Sequence, residues 1–144
     1  MNELEDENRI LVINASLDNL ELIRDFVSRQ ADRLSADSSS ISELQLAVDE
    51  AVTNIIMHGY KGRTGKVEVE IDGDDETLFV RIRDTAPVYD VSHTPEPDLS
   101  VSPMDKATPG GYGVFLIQHM VDAVDQRVLN NGQNELILRK RKSS

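Results

Sequence analysis

The chain has 144 residues, of which 39% are hydrophobic and only 4% aromatic, so we expect one compact domain with a mainly aliphatic core. Its formal net charge of -11 argues against nucleic acid as a main partner, because phosphate backbones bind basic surfaces. There are no cysteines, which excludes disulfides and zinc-thiolate sites, and no apolar run is long enough to suggest a membrane span.

The first regular element predicted is a short strand, because Ile10 to Asn14 form an apolar run. The residues before it, 1–8, are acidic and unlike a signal peptide, so we expect a cytoplasmic protein. Residues 18–34 follow the strand with apolar side chains three and four positions apart. This spacing predicts an amphipathic helix with one buried stripe.

A second helix is predicted after a polar break. Ser40 and Glu43 have the spacing of a capping box, which we expect to start the helix at about residue 41. The helix should continue to about His58, and Gly59 would end it. Two alternating runs, residues 67–71 and 78–82, then predict a β-hairpin with one buried face.

All five prolines of the chain lie between residues 85 and 112, where the regular pattern stops. An irregular segment this long in a small domain is either disordered or functional, and we interpret it as a lid over about residues 85–112. Residues 113–124 then have helical spacing, and two runs at 125–129 and 135–139 predict a closing hairpin. This order predicts a single α+β domain over residues 1–144, with a mostly antiparallel sheet covered on one face by about three helices.

The second predicted helix carries the first candidate site. Glu50, Asn54 and His58 are spaced four apart, so they line up along one border of its apolar stripe. A carboxylate and an amide half-buried in a row need polar partners, which a bound cation and a phosphate would supply. The alternative is an ordinary solvated helix edge, and Glu50 and Asn54 taken alone favour that alternative.

Asp84 and a glycine-rich segment are the second and third signals. Asp84 continues the alternation of the second hairpin strand, so its carboxylate should point to the buried face and need a donor. An adenine amine or an internal arginine would serve as that donor about equally well. Residues 110–113 read Gly-Gly-Tyr-Gly directly before the third predicted helix, and a glycine-rich helix start offers backbone amides to phosphates.

These three motifs, with the lid between the second motif and the third, resemble the N, G1 and G2 boxes of the GHKL superfamily. Members of this superfamily have the two-layer Bergerat fold. The closer resemblance is to the anti-sigma factor serine kinases of bacterial partner-switching systems. The matching segments, which together span nearly the whole chain, are Glu43–Asn54, His58–Tyr60, Asp84–Asp90, Gly110–Ile117 and Asn134–Lys140.

The resemblance implies a protein-serine kinase that binds ATP with Mg²⁺. Asn54 would hold Mg²⁺ through its side-chain oxygen, Glu50 would be the general base, and Asp84 would bind the adenine amine. The residues that it implies at the nucleotide are Asn54, His58, Asp84, Ala86, Pro87, Gly110, Gly111, Tyr112, Gly113, Val114, Leu116 and Asn134. Two departures from the family pattern are Ala86-Pro87 in the usual Asp-x-Gly-x-Gly stretch and Asn134 in place of a common threonine.

The resemblance also implies partners. The protein would bind and silence a sigma factor, and it would phosphorylate a serine of a STAS-domain anti-anti-sigma protein. Dimers are usual in the resembling family, so a homodimer is a further expectation. The alternative interpretation is a non-catalytic, nucleotide-dependent anti-sigma or adaptor module, which would share every motif except Glu50.

Overall fold

The structure is a computed structural model that describes residues 9–87 and 117–143. The helices are α1 (Leu20–Arg33) and α2 (Ser38–Asn54), and the strands are β1 (Ile10–Asn14), β2 (Lys66–Gly73), β3 (Thr77–Asp84), β4 (Ala123–Val128) and β5 (Asn134–Arg141). A 3-10 turn at Leu17–Asn19 precedes α1, a π-helical segment at Ile55–Tyr60 continues α2, and residues 117–120 are helical. Within these described ranges, no helix is long and apolar enough to cross a membrane.

The strands form one antiparallel sheet in the order β1-β2-β3-β5-β4. Helices α1 and α2 pack against each other and against one face of this sheet. The predicted α+β architecture with a helix layer on one face of an antiparallel sheet is therefore confirmed. The predicted lid lies largely outside the described residues.

The core lies between the helices and the sheet and is aliphatic. The predicted hairpin is confirmed, because alternate side chains of β2 and β3 are fully buried on the helix side. Those fully buried side chains are Val67, Val69, Ile71, Leu78, Val80 and Ile82. The same alternation brings Asp84, the last residue of β3, to the buried face, where the sheet register places it between Val67 and Asn134.

The opposite face of the sheet carries a charged network, which we call the Arg83 network. Arg83 donates hydrogen bonds to Glu68 at 2.5 Å, to Glu70 at 2.7 Å and to Glu135 at 2.8 Å. Glu135 also accepts from Arg127 at 2.7 Å, and it is only 1% exposed. The network therefore joins side chains from β2, β3, β5 and β4.

The predicted capping box is wrong. Helix α2 begins at Ser38, and its N-cap is Asp37, whose carboxylate accepts a hydrogen bond from the backbone N–H of Ser40 at 2.7 Å. An aspartate is at least as good an N-cap as a serine, so Asp37 captures the free N–H groups of the first turn. Ser40 becomes an internal helical residue with a fully buried side chain.

Gly59 does not end the second helix, contrary to the prediction. The chain continues as the π-helical segment to Tyr60, and Lys61 in the left-handed region, with φ of 54°, closes it. Gly59 allows close packing instead. A Cβ added there would lie 3.0 Å from the Cβ of Ala86, so a larger residue would require Ala86 to move by a few tenths of an ångström.

The predicted third helix is too long at its C-terminal end. Residues 117–120 are helical, but Ala123 and Val124 already belong to β4, which begins two residues before the predicted strand. Val124 pairs with Leu138 of β5, so sheet pairing decides the end of this helix rather than helical spacing. The predicted closing hairpin is confirmed, and its turn contains Gly132 at a φ of 89°.

Candidate functional site

A pocket lies where the end of β3 meets the π-helical segment and the last two strands. Its cavity is small, about 20 Å³, and it is partly open to solvent. Its lining residues are Ile55, Gly59, Asp84, Ala86, Pro87, Gln126, Asn134, Glu135 and Leu136. The fold therefore brings together four of the predicted site residues from distant parts of the chain: Asp84, Ala86, Pro87 and Asn134.

Asp84 is the buried acid of this pocket, with only 6% of its surface exposed. Its Oδ1 accepts hydrogen bonds from the backbone N–H of Ala86 and from Nδ2 of Asn134, both at 2.9 Å. Within the described part of the chain its partners are thus a backbone amide and a side-chain amide, and no arginine pairs with it. Burial raises the pKa of the Asp84 carboxyl above its ordinary value, although the two hydrogen bonds offset part of the rise.

Asn134 orients this carboxylate. Its Nδ2 donates to Oδ1 of Asp84 at 2.9 Å and to the backbone oxygen of Ala86 at 2.7 Å, which uses both amide hydrogens. Both hydrogen bonds of Asp84 end on Oδ1, so Oδ2 accepts none from the described residues. The pocket thus presents one carboxylate oxygen held by the protein and a second one that can receive a ligand amine.

Asn54 is the last residue of α2 and is 3% exposed. Its Nδ2 is buried and has no hydrogen-bond partner among the residues that the structure describes. A buried polar atom without a partner costs about 1–3 kcal/mol, and rotation of the amide would put Oδ1 in the same place. The position therefore fits a polar ligand or a cation that supplies the missing partner.

The described residues contain no cluster of three or more His, Cys, Asp or Glu side chains that could hold a metal ion by themselves. Mg²⁺ often uses one or two protein oxygen ligands and completes its shell with water and phosphate oxygens. The side-chain oxygen of Asn54 has the chemistry of such a ligand.

Glu50 lies one helical turn before Asn54 and is half-buried. Burial raises the pKa of its carboxyl above the ordinary value, and the negative charge of neighbouring Asp49 raises it further. Asp49 is itself paired with Arg24, with 3.1 Å between Oδ1 and Nε. Glu50 is therefore protonated more readily than an ordinary glutamate.

Glu50 and Asn54 lie one turn apart in α2, as predicted, whereas His58 lies in the π-helical segment that follows α2. Among the described residues, the pocket is lined by Ile55 and Gly59 of this segment rather than by His58. The predicted phosphate-binding residues Gly110, Gly111, Tyr112, Gly113, Val114 and Leu116 lie outside the described residues.

Several residues of the pocket are not predicted from the sequence. Gly59 lines the pocket instead of ending the helix. Its neighbour Tyr60 bonds to Lys66 of β2 and to Thr85, just after β3. Gln126 and Leu136 face the pocket from β4 and β5. For these two there was no local signal, because their position depends on strand pairing.

The chain is similar to several known proteins. A family model described as the histidine kinase-like ATPase domain matches residues 13–140. The chain is 28% identical over 116 residues to the serine-protein kinase RsbW of Oceanobacillus iheyensis, and the aligned region covers 78% of this chain and 72% of the relative. It is 31% identical over 108 residues to the serine-protein kinase RsbW of Bacillus licheniformis, covering 72% of this chain and 67% of the relative.

A solved structure has the same fold. It contains the RsbU and RsbW domains of a Mycobacterium tuberculosis protein, and it matches with a TM-score of 0.57 at 19% sequence identity. The match covers 92% of this chain and 32% of that longer chain. At this identity the likeness concerns the fold alone.

Proposed function

Because the chain belongs to the histidine kinase-like ATPase domain family, we propose that it binds ATP with Mg²⁺ and phosphorylates a serine of a partner protein. The observation that carries this proposal is the buried Asp84 at the pocket, with one carboxylate oxygen held by Asn134 and Ala86 and the other available to a ligand. An adenine amine is a donor that such an acceptor can bind. A bound amine would also offset the burial that raises the pKa of Asp84.

The phosphate end of the nucleotide would lie towards Asn54. The buried amide of this residue lacks a partner within the described ranges, and a Mg²⁺ ligand is the role that its oxygen fits. Mg²⁺ would supply neutralisation of the phosphate charge during transfer. The glycines of residues 110–113 would donate backbone amides to the same phosphates, as the motif predicts.

Glu50 would act as the general base. Its carboxylate would accept the proton of the serine hydroxyl as the serine oxygen bonds to the γ-phosphorus. The bond between that phosphorus and the β,γ-bridging oxygen breaks, and ADP leaves. The raised pKa of Glu50 supports the role, because a general base is most effective when its pKa lies near the working pH.

The partners that we propose are a STAS-domain anti-anti-sigma protein as the phosphate acceptor and a sigma factor as the protein that is silenced. The support is the similarity to relatives named serine-protein kinases. A homodimer stays a prediction from the resemblance, and a cytoplasmic location stays a prediction from the sequence. The alternative is a non-catalytic nucleotide-dependent module, which needs Asp84 and Asn54 but not a base. The relatives named serine-protein kinases favour the kinase.

The experiment that tests the proposal is phosphotransfer to STAS-domain proteins encoded in the same genome. Each would be mixed with the protein and Mg-ATP, and its intact mass would be read for an added phosphate. We expect transfer to one partner, and we expect Glu50→Gln to bind ADP normally while transfer falls by about 10²–10⁴-fold. Glu21→Gln is the matched control, because it makes the same chemical change at an exposed residue in the first turn of α1 and should keep transfer.

Two results would contradict parts of the proposal. If no partner gains phosphate although ADP binds, the non-catalytic module is favoured. If Glu50→Gln transfers phosphate as fast as the unmodified protein, Glu50 is not the base.

A further inference from the structure

The hydroxyl of Tyr60 connects three elements around the pocket. Tyr60 is the last residue of the π-helical segment and is 4% exposed. Its hydroxyl donates to the backbone oxygen of Lys66, at the start of β2, over 2.6 Å. It also accepts from the backbone N–H of Thr85, just after β3, over 2.9 Å, with the Thr85 hydroxyl at 3.3 Å.

The ring of Tyr60 occupies a space that a neighbouring glycine leaves for it. A Cβ added at Gly65 would lie 2.2 Å from Cε1 of the Tyr60 ring, which is closer than atoms can approach. At Gly59, an added Cβ would lie 3.0 Å from the Cβ of Ala86. Two glycines thus permit the close packing of the π-helical segment, the start of β2 and the end of β3.

The contact with Thr85 reaches the nucleotide pocket through the backbone. Thr85 lies between Asp84 and Ala86, and the N–H of Ala86 is one of the two donors to the Asp84 carboxylate. A shift of Thr85 would therefore move the carboxylate and one of its donors together. On the other side, Tyr60 and Asn54 belong to one continuous helical stretch, because the π-helical segment directly follows α2.

We propose that Tyr60 is a positioning residue that holds the Asp84 end of β3 at a fixed distance from the helix carrying Glu50 and Asn54. The distance between the adenine site and the phosphate site would then be fixed before the nucleotide binds. This inference rests on the proposed function, since it assigns Tyr60 a role in ATP binding. Tyr60 itself contacts no substrate.

A positioning role predicts that loss of the Tyr60 hydroxyl affects nucleotide binding more than turnover. Without the hydroxyl, the end of β3 is held less firmly, and the nucleotide must order it when it binds. Once bound, the nucleotide spans both sites and restores the same arrangement. Loss of the hydroxyl should therefore raise the ADP dissociation constant and the KM for ATP while kcat at saturating ATP changes little.

The test compares Tyr60→Phe with Ile71→Val. Tyr60→Phe keeps the ring and removes the hydroxyl, and we expect ADP to bind about 2- to 10-fold more weakly, as the net worth of one hydrogen bond implies. Ile71 is fully buried in the same core but lies towards the other end of β2, so Ile71→Val controls for a general loss of stability. Calorimetry with ADP and steady-state phosphotransfer would be run at a temperature where both variants are folded.

A second variant keeps the inference testable if Tyr60→Phe folds poorly. Gly65→Ala retains the hydroxyl but displaces the ring, and it should weaken ADP binding in the same direction. Unchanged ADP affinity in both variants, equal weakening by Ile71→Val, or a fall in kcat with constant KM would each overturn the positioning role. If the unmodified protein binds no ADP, the proposed function fails and the inference fails with it.

Discussion

At the scale of single residues, the protein fixes the position of the Asp84 carboxylate but does not favour its charged form. It is buried, and the hydrogen bonds from Asn134 and Ala86 do not fully offset the burial, so its pKa stays above the ordinary value of 3.8. A folded-state pKa above the unfolded one means that the folded protein binds this proton more tightly. The contribution of Asp84 to stability is therefore present at pH below 3.8 and is lost as pH rises through the raised pKa.

Asp84→Asn should separate stability from binding. The asparagine cannot ionise and its Oδ1 can still accept from Asn134 and Ala86, so the protein without nucleotide should melt at the same or a higher temperature at neutral pH. ADP should bind roughly 10- to 100-fold more weakly, because a hydrogen bond to a charged acceptor is lost. Thermal melts and calorimetry with ADP would measure both. Asp75→Asn, in the exposed hairpin turn, is the control; if ADP bound to Asp84→Asn as it does to the control, Asp84 would not be the adenine ligand.

At the scale of elements, the Arg83 network ties the strands of the sheet together on the face away from the helices. Its most buried member is Glu135, which accepts from Arg83 and from Arg127. Burial raises the pKa of Glu135, but the hydrogen bonds and charges of the two arginines lower it more, so it lies below the ordinary value of 4.5. This carboxylate therefore stabilises the fold fully above pH 4.5, and the stabilisation is lost as pH falls through the lowered pKa.

Glu135→Gln should make the protein less stable at neutral pH, by on the order of 3 kcal/mol, because the two arginines lose a charged partner that is buried. The difference in unfolding free energy between the two proteins should shrink as pH falls below 4.5 and through the lowered pKa of Glu135, since both then carry a neutral side chain. Urea unfolding at several pH values would measure it. Glu76→Gln, exposed next to the β2–β3 turn, is the control. A difference that did not change with pH would show that the Glu135 charge is not responsible.

At the scale of the whole molecule, one nucleotide would connect parts of the chain that are far apart in sequence. Asp84 and Asn134, for example, are 50 positions apart and meet only through strand pairing. A ligand that binds only the folded state stabilises it by mass action, by about 2.7 kcal/mol at a concentration of 100 times its dissociation constant. Nucleotide binding should therefore appear as a change in global stability.

ADP with Mg²⁺ should raise the melting temperature by several degrees, and GDP at the same concentration should raise it much less. Guanine carries a carbonyl oxygen where adenine carries its amine, so it would set an acceptor against the Asp84 carboxylate. Differential scanning fluorimetry with both nucleotides would decide this. Equal shifts with ADP and GDP would remove Asp84 from the choice of base, while a shift with neither would contradict nucleotide binding itself.

Most of the strands and the direction of Asp84 could be predicted from the sequence, because side chains in a strand alternate and this period depends only on neighbouring residues. Helical spacing likewise placed Glu50 and Asn54 one turn apart on the same helix, and the order of the motifs indicated the family that the comparison confirmed. These features are properties of short segments, so they can be predicted from the sequence without the tertiary structure.

Only the tertiary structure decided which residues complete the site. The pairing of Asn134 with Asp84 depends on the register between β3 and β5, and the contacts of Tyr60 depend on where the π-helical segment meets two strands. The close approach of Gly59 to Ala86 likewise depends on the packing of segments distant along the chain. Periodicity tells which face of an element is buried, whereas the partner that meets this face is selected by packing between segments distant along the chain.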